Sequence, residues 1–427
     1  MHLHYYHQFF AGLDAPGPAQ PRALVRQLAE RGHTVDVVAC NLNAYNEQAE
    51  PAESYSVPGG GSVRVHRLPA PRGLRANLLN RLKTYGSFAW SAYRFGRHLP
   101  IPDAVMATIQ PLFGGLAAMW LARRWRKPFL LEVRDLWPDA LVVKQAIATW
   151  QAAPLQAMAR SLYFGADRIV CLTPGIKTEL LKKGVPEGRV DLFPNGVEES
   201  FFRLEAGVRD QVRAEHGWQG RFVAVYMGTH TEVTAIDVIV RAAAALRARE
   251  DIRIDLFGTG QTKSKAMALA AELGLDNVHF HDPVPKSRVP SILAGADAGL
   301  MTLFRSPLIH IYFENKFIDY MGSRKPILAA LEGIQADLIR HLGAGQVVPT
   351  FDHGALAKAI ADAADHPERC REMGEAGHRY VGAHLAQKEI LGRYAAVLEA
   401  LAQGEVGRVP TWDPFREPAA AKPEEGG

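Results

Sequence analysis

Long apolar runs are missing from this 427-residue chain. No segment reaches the about 18 consecutive apolar residues that a transmembrane helix needs. The first residues also lack the basic-then-apolar pattern of a signal peptide, so we expect a cytoplasmic protein. Cysteine is scarce as well: Cys40, Cys171 and Cys370 lie far apart. They exclude a disulfide framework or a zinc motif of paired cysteines, and we expect three buried thiols.

Several catalytic and cofactor motifs are also missing. The chain has no Asp-x-Asp sequence, no Asp and His at metal-ligand spacing, no P-loop and no Gly-x-Ser-x-Gly elbow. We therefore expect no metal and no other cofactor. The segment Gly258-Thr-Gly260 lacks the third glycine of a dinucleotide fingerprint and is weak support for NAD binding.

Acidic residues are scarce in one stretch of the chain. From 54 to 131, Asp103 is the single acid against twelve Lys and Arg, although the net charge of the chain is only +4. Such a local excess suggests that this part faces an anionic surface.

Within that stretch, residues 72–97 combine six Lys or Arg with apolar residues at helical spacing. This pattern is typical of a basic amphipathic helix that lies among lipid headgroups. The alternative is an ordinary helix whose apolar face packs inward while its cations are solvated. If the membrane interpretation holds, the contacts are made by Arg72, Arg75, Arg81, Lys83, Trp90 and Arg94.

Apolar strand patterns alternate with helical patterns in two consecutive series. The first begins with a strand at 2–10 and ends with one at 190–193, where Asn195-Gly196 signals a turn. The second runs from a strand at 222–227 to one at 326–330. Repeated strand–helix–strand units imply parallel sheets with right-handed crossovers. We predict an α/β protein with two doubly wound, Rossmann-like domains that bind ligands at the carboxyl ends of their strands and face each other across a cleft.

The domain boundaries follow from the same pattern. A polar stretch after Asn195 separates the two series, and the last residues are rich in Pro, Glu and Gly, which favours disorder. The predicted segments are a first, acceptor-side domain at 1–205, a second, donor-binding domain at 206–385, a closing helix at 386–403 and a disordered tail at 404–427.

Six short motifs occur in order along the chain. They are Leu28-Ala-Glu-Arg-Gly-His-Thr-Val35, Arg134-Asp-Leu-Trp-Pro138, Phe193-Pro-Asn-Gly-Val197, Phe257-Gly-Thr-Gly260, the segment Val278 to Pro285, and Asn315 to Met321 followed by Lys325-Pro-Ile327. In this order and spacing they resemble the family-4 retaining glycosyltransferases of the GT-B fold, particularly members that build bacterial surface polysaccharides. The resemblance covers about residues 3–402.

The resemblance implies a nucleotide-sugar site in the second domain. Asp319 matches the second acid of the family's paired-acid motif, and a carboxylate can accept hydrogen bonds from both ribose hydroxyls. The diphosphate is expected at helix N-termini, where unpaired N–H groups favour anions. One such terminus follows the loop of Gly17, and the other begins at Asn315 beside Lys316. The resemblance further assigns the base to the backbone of Val284, and glycine turns to Gly228 and Gly258.

Two positions depart from the family pattern. The Arg and Lys that members commonly carry after the strand ending at Met227 are absent, and His230 is the candidate substitute, unless it is a neutral polar histidine. Ile311 stands where the first acid of the pair belongs. Either Glu314 or His310 could take over its contacts with the sugar hydroxyls.

Arg134 and Asp135 close an apolar strand of the first domain, where an open α/β sheet places its chemistry. Asp135 could orient or deprotonate an acceptor hydroxyl. The equally weighted alternative is that Arg134 and Asp135 form an ion pair that fastens the loop.

Together these features predict a metal-independent, retaining glycosyltransferase. It would move a hexose-type sugar from a nucleoside-diphosphate donor, UDP being the expected nucleotide, to a lipid-linked saccharide at the inner face of the cell membrane. The alternatives are a degenerate glycosyltransferase kept as a binding or scaffold subunit, and a nucleotide-sugar epimerase. Nothing in the donor-binding pattern suggests a nucleic-acid partner.

Overall fold

The computed structural model describes residues 1–12, 19–43, 47–57, 59–73, 78–143, 147–203, 206–305, 309–405, 407 and 409–415. The chain divides into two compact units. The first unit contains Met1–Asn195 and Glu389–Gly427, and the second contains Gly196–Lys388. The boundary thus lies at 195/196 and not at 205/206, and most of the segment expected to be a separate closing helix belongs to the first unit.

The first unit is built on an eight-stranded sheet. Its elements are β1 (His2–Tyr6), α1 (Ala19–Glu30), β2 (Thr34–Cys40), β3 (Glu53–Ser56), β4 (Ser62–Leu68), α2 (Leu78–Gly96), β5 (Ala104–Thr108), α3 (Leu112–Trp125), β6 (Phe129–Val133), α4 (Asp139–Val143), α5 (Thr149–Gly165), β7 (Arg168–Cys171), α6 (Pro174–Lys182) and β8 (Val190–Leu192). The strand order is β3-β4-β2-β1-β5-β6-β7-β8. All neighbouring strands are parallel except β3 and β4, which are antiparallel. The strand order reverses between β1 and β5, which are neighbours in the sheet.

Burial on both faces explains the strand sequences of this sheet. Every residue of β5 and β6 is buried, which is why both strands are mostly apolar without an alternating pattern, Thr108 and Glu132 being the polar exceptions. Helices α2 and α3 pack together, and α3 also packs on α5. Glycines in α3 permit the close approach: a Cβ on Gly115 would lie 3.2 Å from the side chain of Leu162.

The second unit contains a six-stranded parallel sheet. Its elements are α7 (Val208–His216), β9 (Phe222–Met227), α8 (Ile236–Ala245), β10 (Ile252–Phe257), α9 (Lys263–Glu272), β11 (Val278–His281), α10 (Val289–Gly295), β12 (Ala298–Thr302), α11 (Asn315–Gly322), β13 (Ile327–Ala330), α12 (Ile334–Leu342), β14 (Gly345–Val348), α13 (His353–Asp365) and α14 (Pro367–His384). The order β11-β10-β9-β12-β13-β14 reverses between β9 and β12. A last helix, α15 (Gln387–Ala402), continues into the first unit.

The predicted architecture of two doubly wound α/β domains is confirmed. The carboxyl ends of β9 and β12 flank the point where the strand order of the second unit reverses, which is where open α/β sheets bind ligands. Among the described residues no helix is long and apolar enough to span a bilayer. All three cysteines are buried thiols, as expected.

The expected disorder from residue 404 onward does not hold for the described part of that segment. The ring of Trp412 stacks on Phe193 with 5.4 Å between centroids, and its backbone N–H donates to Asp191. Asp413 accepts a hydrogen bond from the buried Lys177 at 2.9 Å. A few aromatic and charged residues therefore anchor a stretch whose overall composition favours disorder. Residues 416–427 lie outside the described residues.

Candidate functional site

Two glycine turns close neighbouring strands of the second unit. Gly228 follows β9 and Gly258 follows β10, and both have positive φ. A Cβ on Gly258 would lie only 1.8 Å from the carbonyl oxygen of Gly228, so no other residue fits there. The predicted glycine positions therefore bring two backbone turns together at the carboxyl end of the sheet.

His230 lies beside these turns, with its side chain fully buried. Neither ring nitrogen has a hydrogen-bond partner of good geometry among the described residues. The carbonyl of Phe257 lies near the ring and raises its pKa slightly, without meeting the geometry of a hydrogen bond. Burial, reinforced by the nearby cations Lys263 and Lys316, lowers the pKa of His230 to about 4. At neutral pH the ring is uncharged. The lowered pKa favours the alternative of a neutral histidine, which can offer a hydrogen bond but no permanent charge, and a contact between His230 and the donor stays a prediction.

Lys316 is the cation of this site. It is only 7% exposed, and a Cβ on Gly228 would lie 3.0 Å from its Cε atom. Its ammonium group donates to the Glu314 carboxylate at 2.6 Å and lies 5.1 Å from the centre of the Tyr226 ring. Burial is the largest single effect and lowers the pKa of Lys316, but Glu314, Tyr226 and Tyr320 together outweigh it and the net shift is upward. The lysine thus stays charged next to the Gly228 turn.

Helix α11 begins one residue after Glu314, and Asn315 is its exposed first residue. The buried side chain of Gln335 holds the backbone on both sides: it accepts from the Glu314 N–H and donates to the Glu314 carbonyl, each at 3.0 Å. Gln335 was not predicted as a site residue, because it lies in α12, two elements after the α11 motif. The helix terminus and Lys316 together form a positive region suited to a phosphate group.

Asp319 lies one turn further along α11 and is partly buried. Burial raises the pKa of Asp319 to about 7, an effect that Lys286 opposes and Glu198 reinforces. No hydrogen bond or ion pair to its carboxylate is present among the described residues. A partly buried carboxyl group without a partner is able to accept hydrogen bonds from a ligand, as expected for a ribose contact.

The loop between β11 and α10 lies near the same helix, since Lys286 acts on the pKa of Asp319. Val284 is in this loop and is partly buried. His310 lies in a single 3₁₀ turn, Ile309–Ile311, ahead of α11, and is also partly buried. Of the two candidates for the sugar contacts, Glu314 is already engaged by Lys316.

Aromatic residues missed by the sequence interpretation end two strands of this sheet. Phe257 closes β10 and His281 closes β11, and their rings stack at 4.3 Å with an angle of 13°. The His281 ring also forms a hydrogen bond with the buried Asp255, with Nε2 2.5 Å from the carboxylate. The available signal was an aromatic residue in the last position of both strands.

In the first unit, Arg134 points inward from the end of β6. Its guanidinium group donates to Gln20 at 3.2 Å and to the buried Glu132 at 3.3 Å, and Glu132 also accepts from the hydroxyl of Tyr5. Arg134 therefore contacts neighbouring elements, and the alternative of an Arg134–Asp135 ion pair is wrong for this structure.

Asp135 is exposed, and one carboxylate oxygen accepts a hydrogen bond from Gln110 at 2.8 Å. Gln110 follows β5, so this contact joins the ends of two adjacent strands. The other oxygen of Asp135 remains available for an acceptor hydroxyl. Gly17, assigned to the phosphate loop of this unit, lies outside the described residues.

His7 and Gln8, which follow β1, were not predicted. Both are buried, and their side-chain polar atoms have no partner within the described parts of the chain. Burial, reinforced by the charges of Arg134 and Arg67, lowers the pKa of His7 to about 3. These neutral groups lie at the reversal of the strand order, next to Arg134.

Two family models match the chain along most of its length. The Glycosyl transferase 4-like domain matches residues 19–196, and Glycosyl transferases group 1 matches residues 208–380. Except for Gly196, the first match falls within the first unit, and the second match falls within the second unit.

Curated relatives of this chain are also named as glycosyltransferases. A D-inositol 3-phosphate glycosyltransferase of Nocardia farcinica is 29% identical over 270 residues, covering 60% of this chain and 58% of its own length. A protein named for colanic acid biosynthesis, the glycosyl transferase WcaI of Escherichia coli K12, is 24% identical over 293 residues, covering 65% of this chain and 70% of its own length. The aligned chain therefore spans little more than half of the first relative.

Among solved structures, Alr3699/HepE of Anabaena in complex with UDP superposes with a TM-score of 0.67. The match covers 94% of this chain and 100% of that protein at 13% identity. At this identity the likeness concerns the fold, which is GT-B.

Proposed function

We propose that this chain, which belongs to the family-4 glycosyltransferases with a GT-B fold, transfers a hexose-type sugar from a UDP-sugar to a lipid-linked saccharide at the inner face of the cell membrane. The observation that carries the proposal is the grouping around α11. A charged, buried Lys316 lies against the Gly228 turn at a helix N-terminus, and a carboxylate without a partner lies one turn away. A diphosphate and a ribose need these two features.

The nucleotide is proposed by likeness to a protein whose structure contains UDP. The relevant test is calorimetry of the purified chain with UDP, GDP and the corresponding hexose donors. We expect micromolar binding of UDP and its sugars and at least ten-fold weaker binding of GDP. Tighter binding of GDP would show the base assignment to be wrong and leave the transferase assignment intact.

We propose that the transfer retains the anomeric configuration. In enzymes of this family the donor phosphate is thought to assist the acceptor hydroxyl on the face that the leaving group vacates. Glu314 is already paired with Lys316, which makes it a poor nucleophile and supports a route without a covalent sugar–enzyme intermediate. Asp135, with one oxygen available, would orient the acceptor. The NMR coupling of the product's anomeric proton tests this: an inverted proton would refute it.

The lipid-linked acceptor is supported by the helical surface of the first unit. Helices α2, α3 and α5 contain no acidic residue. Large apolar side chains are exposed on all three, including Trp90 (64%), Trp120 (55%) and Trp150 (77%). The exposed cations on the same helices include Lys83, Arg94, Arg123, Arg124 and Arg160.

Part of α2 has the ordinary role that the alternative interpretation assigned to it. Phe88 and Ala92 are fully buried, and Phe88 packs against Gly114 of α3. Leu82, Lys83, Trp90 and Arg94 are exposed, so the helix has a packed face and a basic, aromatic face. Aromatic and basic residues on one surface suit the headgroup layer of an anionic membrane. Arg72 is also exposed, Arg81 is partly buried, and Arg75 lies outside the described residues.

The experiment for the whole proposal is mass spectrometry of lipid extracts after incubation with a panel of nucleotide-sugars. A single added hexose on a lipid-linked saccharide is the expected result. The departures from the family pattern at Ile311 and His230 favour one competing outcome, a chain that binds the donor but transfers nothing. Donor binding without transfer or donor hydrolysis would identify a binding subunit instead of an enzyme.

A further inference from the structure

A cluster of histidine and aspartate side chains lies on one face of the first unit's sheet. His2 and His4 are two residues apart on β1 and therefore project to the same face. Asp36 of β2 pairs with His4 in the sheet register, and Arg64 of β4 pairs with Asp36. His66 is two residues beyond Arg64 and lies on that face as well. We refer to His2, His4, Asp36 and His66 as the β1–β4 cluster.

The carboxylate of Asp36 is the centre of the cluster. It is fully buried and lies 2.5 Å from Nε2 of His2 and 2.7 Å from Nε2 of His66. Arg64 donates to it at 2.7 Å. One possible ligand atom from each of His2, His4 and Asp36 lies within 4.8 Å of the others. Two imidazoles and a carboxylate are a donor set that Zn²⁺ and similar divalent transition metals accept.

His4 supplies an independent indication of a missing ligand. Its side chain is fully buried, and neither ring nitrogen makes a hydrogen bond of good geometry in the part of the chain that the structure describes, although the backbone of Pro100 lies beside the ring. The rings of His2 and Trp125 surround it edge-on, with centroids 4.9 and 5.5 Å away. Buried polar atoms without partners are uncommon in folded proteins, and an ion or a water usually explains them. The unsatisfied ring directly adjoins Asp36 and His2.

We propose that His2, His4 and Asp36 bind one divalent transition-metal ion of the Zn²⁺ class, with His66 or a water as the fourth ligand. The site can be reached from solvent, because the side chains of His2 and His66 are 19% and 25% exposed. Small side-chain rotations would bring the ligand atoms to the about 2.0–2.2 Å metal distances of Zn²⁺. Arg64 would then contact Asp36 from outside the coordination sphere and orient it.

The position of the site indicates a structural role. The cluster joins β1, β2 and β4 within the strands, whereas the candidate sugar-transfer residues follow the carboxyl ends of strands. The expectation of no metal cluster rested on spacing along the chain. It could not detect a site in which Asp36 lies 32 residues from His4 and meets it only through strand pairing.

The experiment uses the full chain, stripped with a chelator and then dialysed. We expect one equivalent of Co²⁺ to produce visible d–d absorption bands and one equivalent of Zn²⁺ to abolish them. Zn²⁺ should also raise the unfolding temperature by several degrees. His2→Gln, at a partly exposed position, should weaken Zn²⁺ binding at least ten-fold. His98→Gln, an exposed histidine of the same unit, is the matched control and should bind like the wild type.

The wild-type titration decides the question even if a variant fails to fold. Absence of Co²⁺ bands together with an unchanged unfolding temperature in Zn²⁺ would overturn the proposal. Bands of unchanged intensity in folded His2→Gln and His4→Gln variants would overturn it too. None of these measurements depends on sugar transfer, so the result is independent of the proposed function.

Discussion

Asp319 shows how one side chain links stability to ligand binding. Its pKa is raised to about 7, so ionisation of this carboxyl is disfavoured in the folded state relative to the unfolded chain, where its ordinary pKa is 3.8. The sign follows from linkage: the free energy of unfolding decreases as pH rises from about 4 to about 7 and is then constant. Asp319 therefore destabilises the empty protein at neutral pH, as is common for residues kept for function.

Asp319→Asn should consequently have opposite effects on stability and binding. Removing the disfavoured charge should stabilise the protein at pH 8 by up to about 4 kcal/mol, because the pKa rises from 3.8 to about 7, with little gain at pH 4. UDP should bind about 10–30-fold more weakly, because a charged acceptor of ribose hydrogen bonds is lost. Thermal unfolding and calorimetry measure the two effects. Asp337→Asn, an exposed acid on α12, is the control, and equal UDP affinity in both variants would refute the ribose assignment.

The same carboxyl group predicts a pH dependence of donor binding. Between pH 6 and 8 its ionised fraction rises from roughly one tenth to nine tenths for a pKa of about 7. Since the ribose hydroxyls donate hydrogen bonds to the ionised form, affinity for a UDP-sugar should rise about ten-fold over this range. The diphosphate of a UDP-sugar does not titrate there. Calorimetry at both pH values should show this rise in the wild type and a flat profile in Asp319→Asn.

At the level of single residues, the sequence predicted positions only where a motif carried them, and the chemical roles stay predictions. Lys316 and Asp319 are placed as expected because both lie on one helix, where spacing fixes their relative positions. The neutral state of His230 depends on burial by residues from other segments, and the partners of Arg134 lie 114 and 2 residues away. No local pattern contains that information.

At the level of elements, the strongly apolar strands were predicted nearly to the residue. The strands at 222–227 and 252–257 agree with β9 and β10 because five of the six residues of each are buried and turns follow both strands. β3 and β14 were missed. β3 reads Glu-Ser-Tyr-Ser and forms an antiparallel edge, and β14 begins with Gly and Gln. Short edge strands with one neighbour carry little apolar signal.

The acid-free helices α2, α3 and α5 provide a prediction at the same scale. If their exposed face binds anionic lipid, the double variant Lys83→Glu and Arg94→Glu should reduce co-sedimentation with vesicles containing anionic lipid at least ten-fold. Each cation contributes about 1 kcal/mol near such a surface, and the reversal adds repulsion. Both side chains are exposed, so folding should be unaffected.

The matched control is Arg369→Glu with Arg371→Glu on α14, which changes the net charge equally in the second unit. It should sediment like the wild type, and neither double variant should alter UDP affinity. Wild-type protein that stays in the supernatant with anionic vesicles at low salt would show that α2 has only a structural role. Equal losses in both double variants would indicate a nonspecific effect of net charge.

At the scale of the whole molecule, the two units carry different kinds of chemistry. The second unit holds Lys316, the α11 terminus and Asp319, which suit a nucleotide diphosphate. The first unit holds Asp135, the acid-free helices and the β1–β4 cluster. If the positive charge of Lys316 and of the helix terminus stabilises the leaving diphosphate, transfer needs no metal. A metal in the β1–β4 cluster would stabilise the fold only.

Chelation should therefore separate activity from stability. In EDTA at 20 °C, transfer should stay within about two-fold of the untreated rate, because the groups facing the diphosphate belong to the protein. The unfolding temperature should fall by several degrees, since removing a ligand that binds only the folded state lowers stability.

The Lys316→Met variant should show the opposite pattern: transfer is reduced at least 100-fold, and the change of unfolding temperature in EDTA equals that of the wild type. Loss of transfer in EDTA at 20 °C, restored by Mg²⁺ or Mn²⁺ while the protein stays folded, would refute the metal-independent mechanism. An unfolding temperature that does not change in EDTA would contradict the proposed metal site in the β1–β4 cluster, but not the metal-independent transfer mechanism.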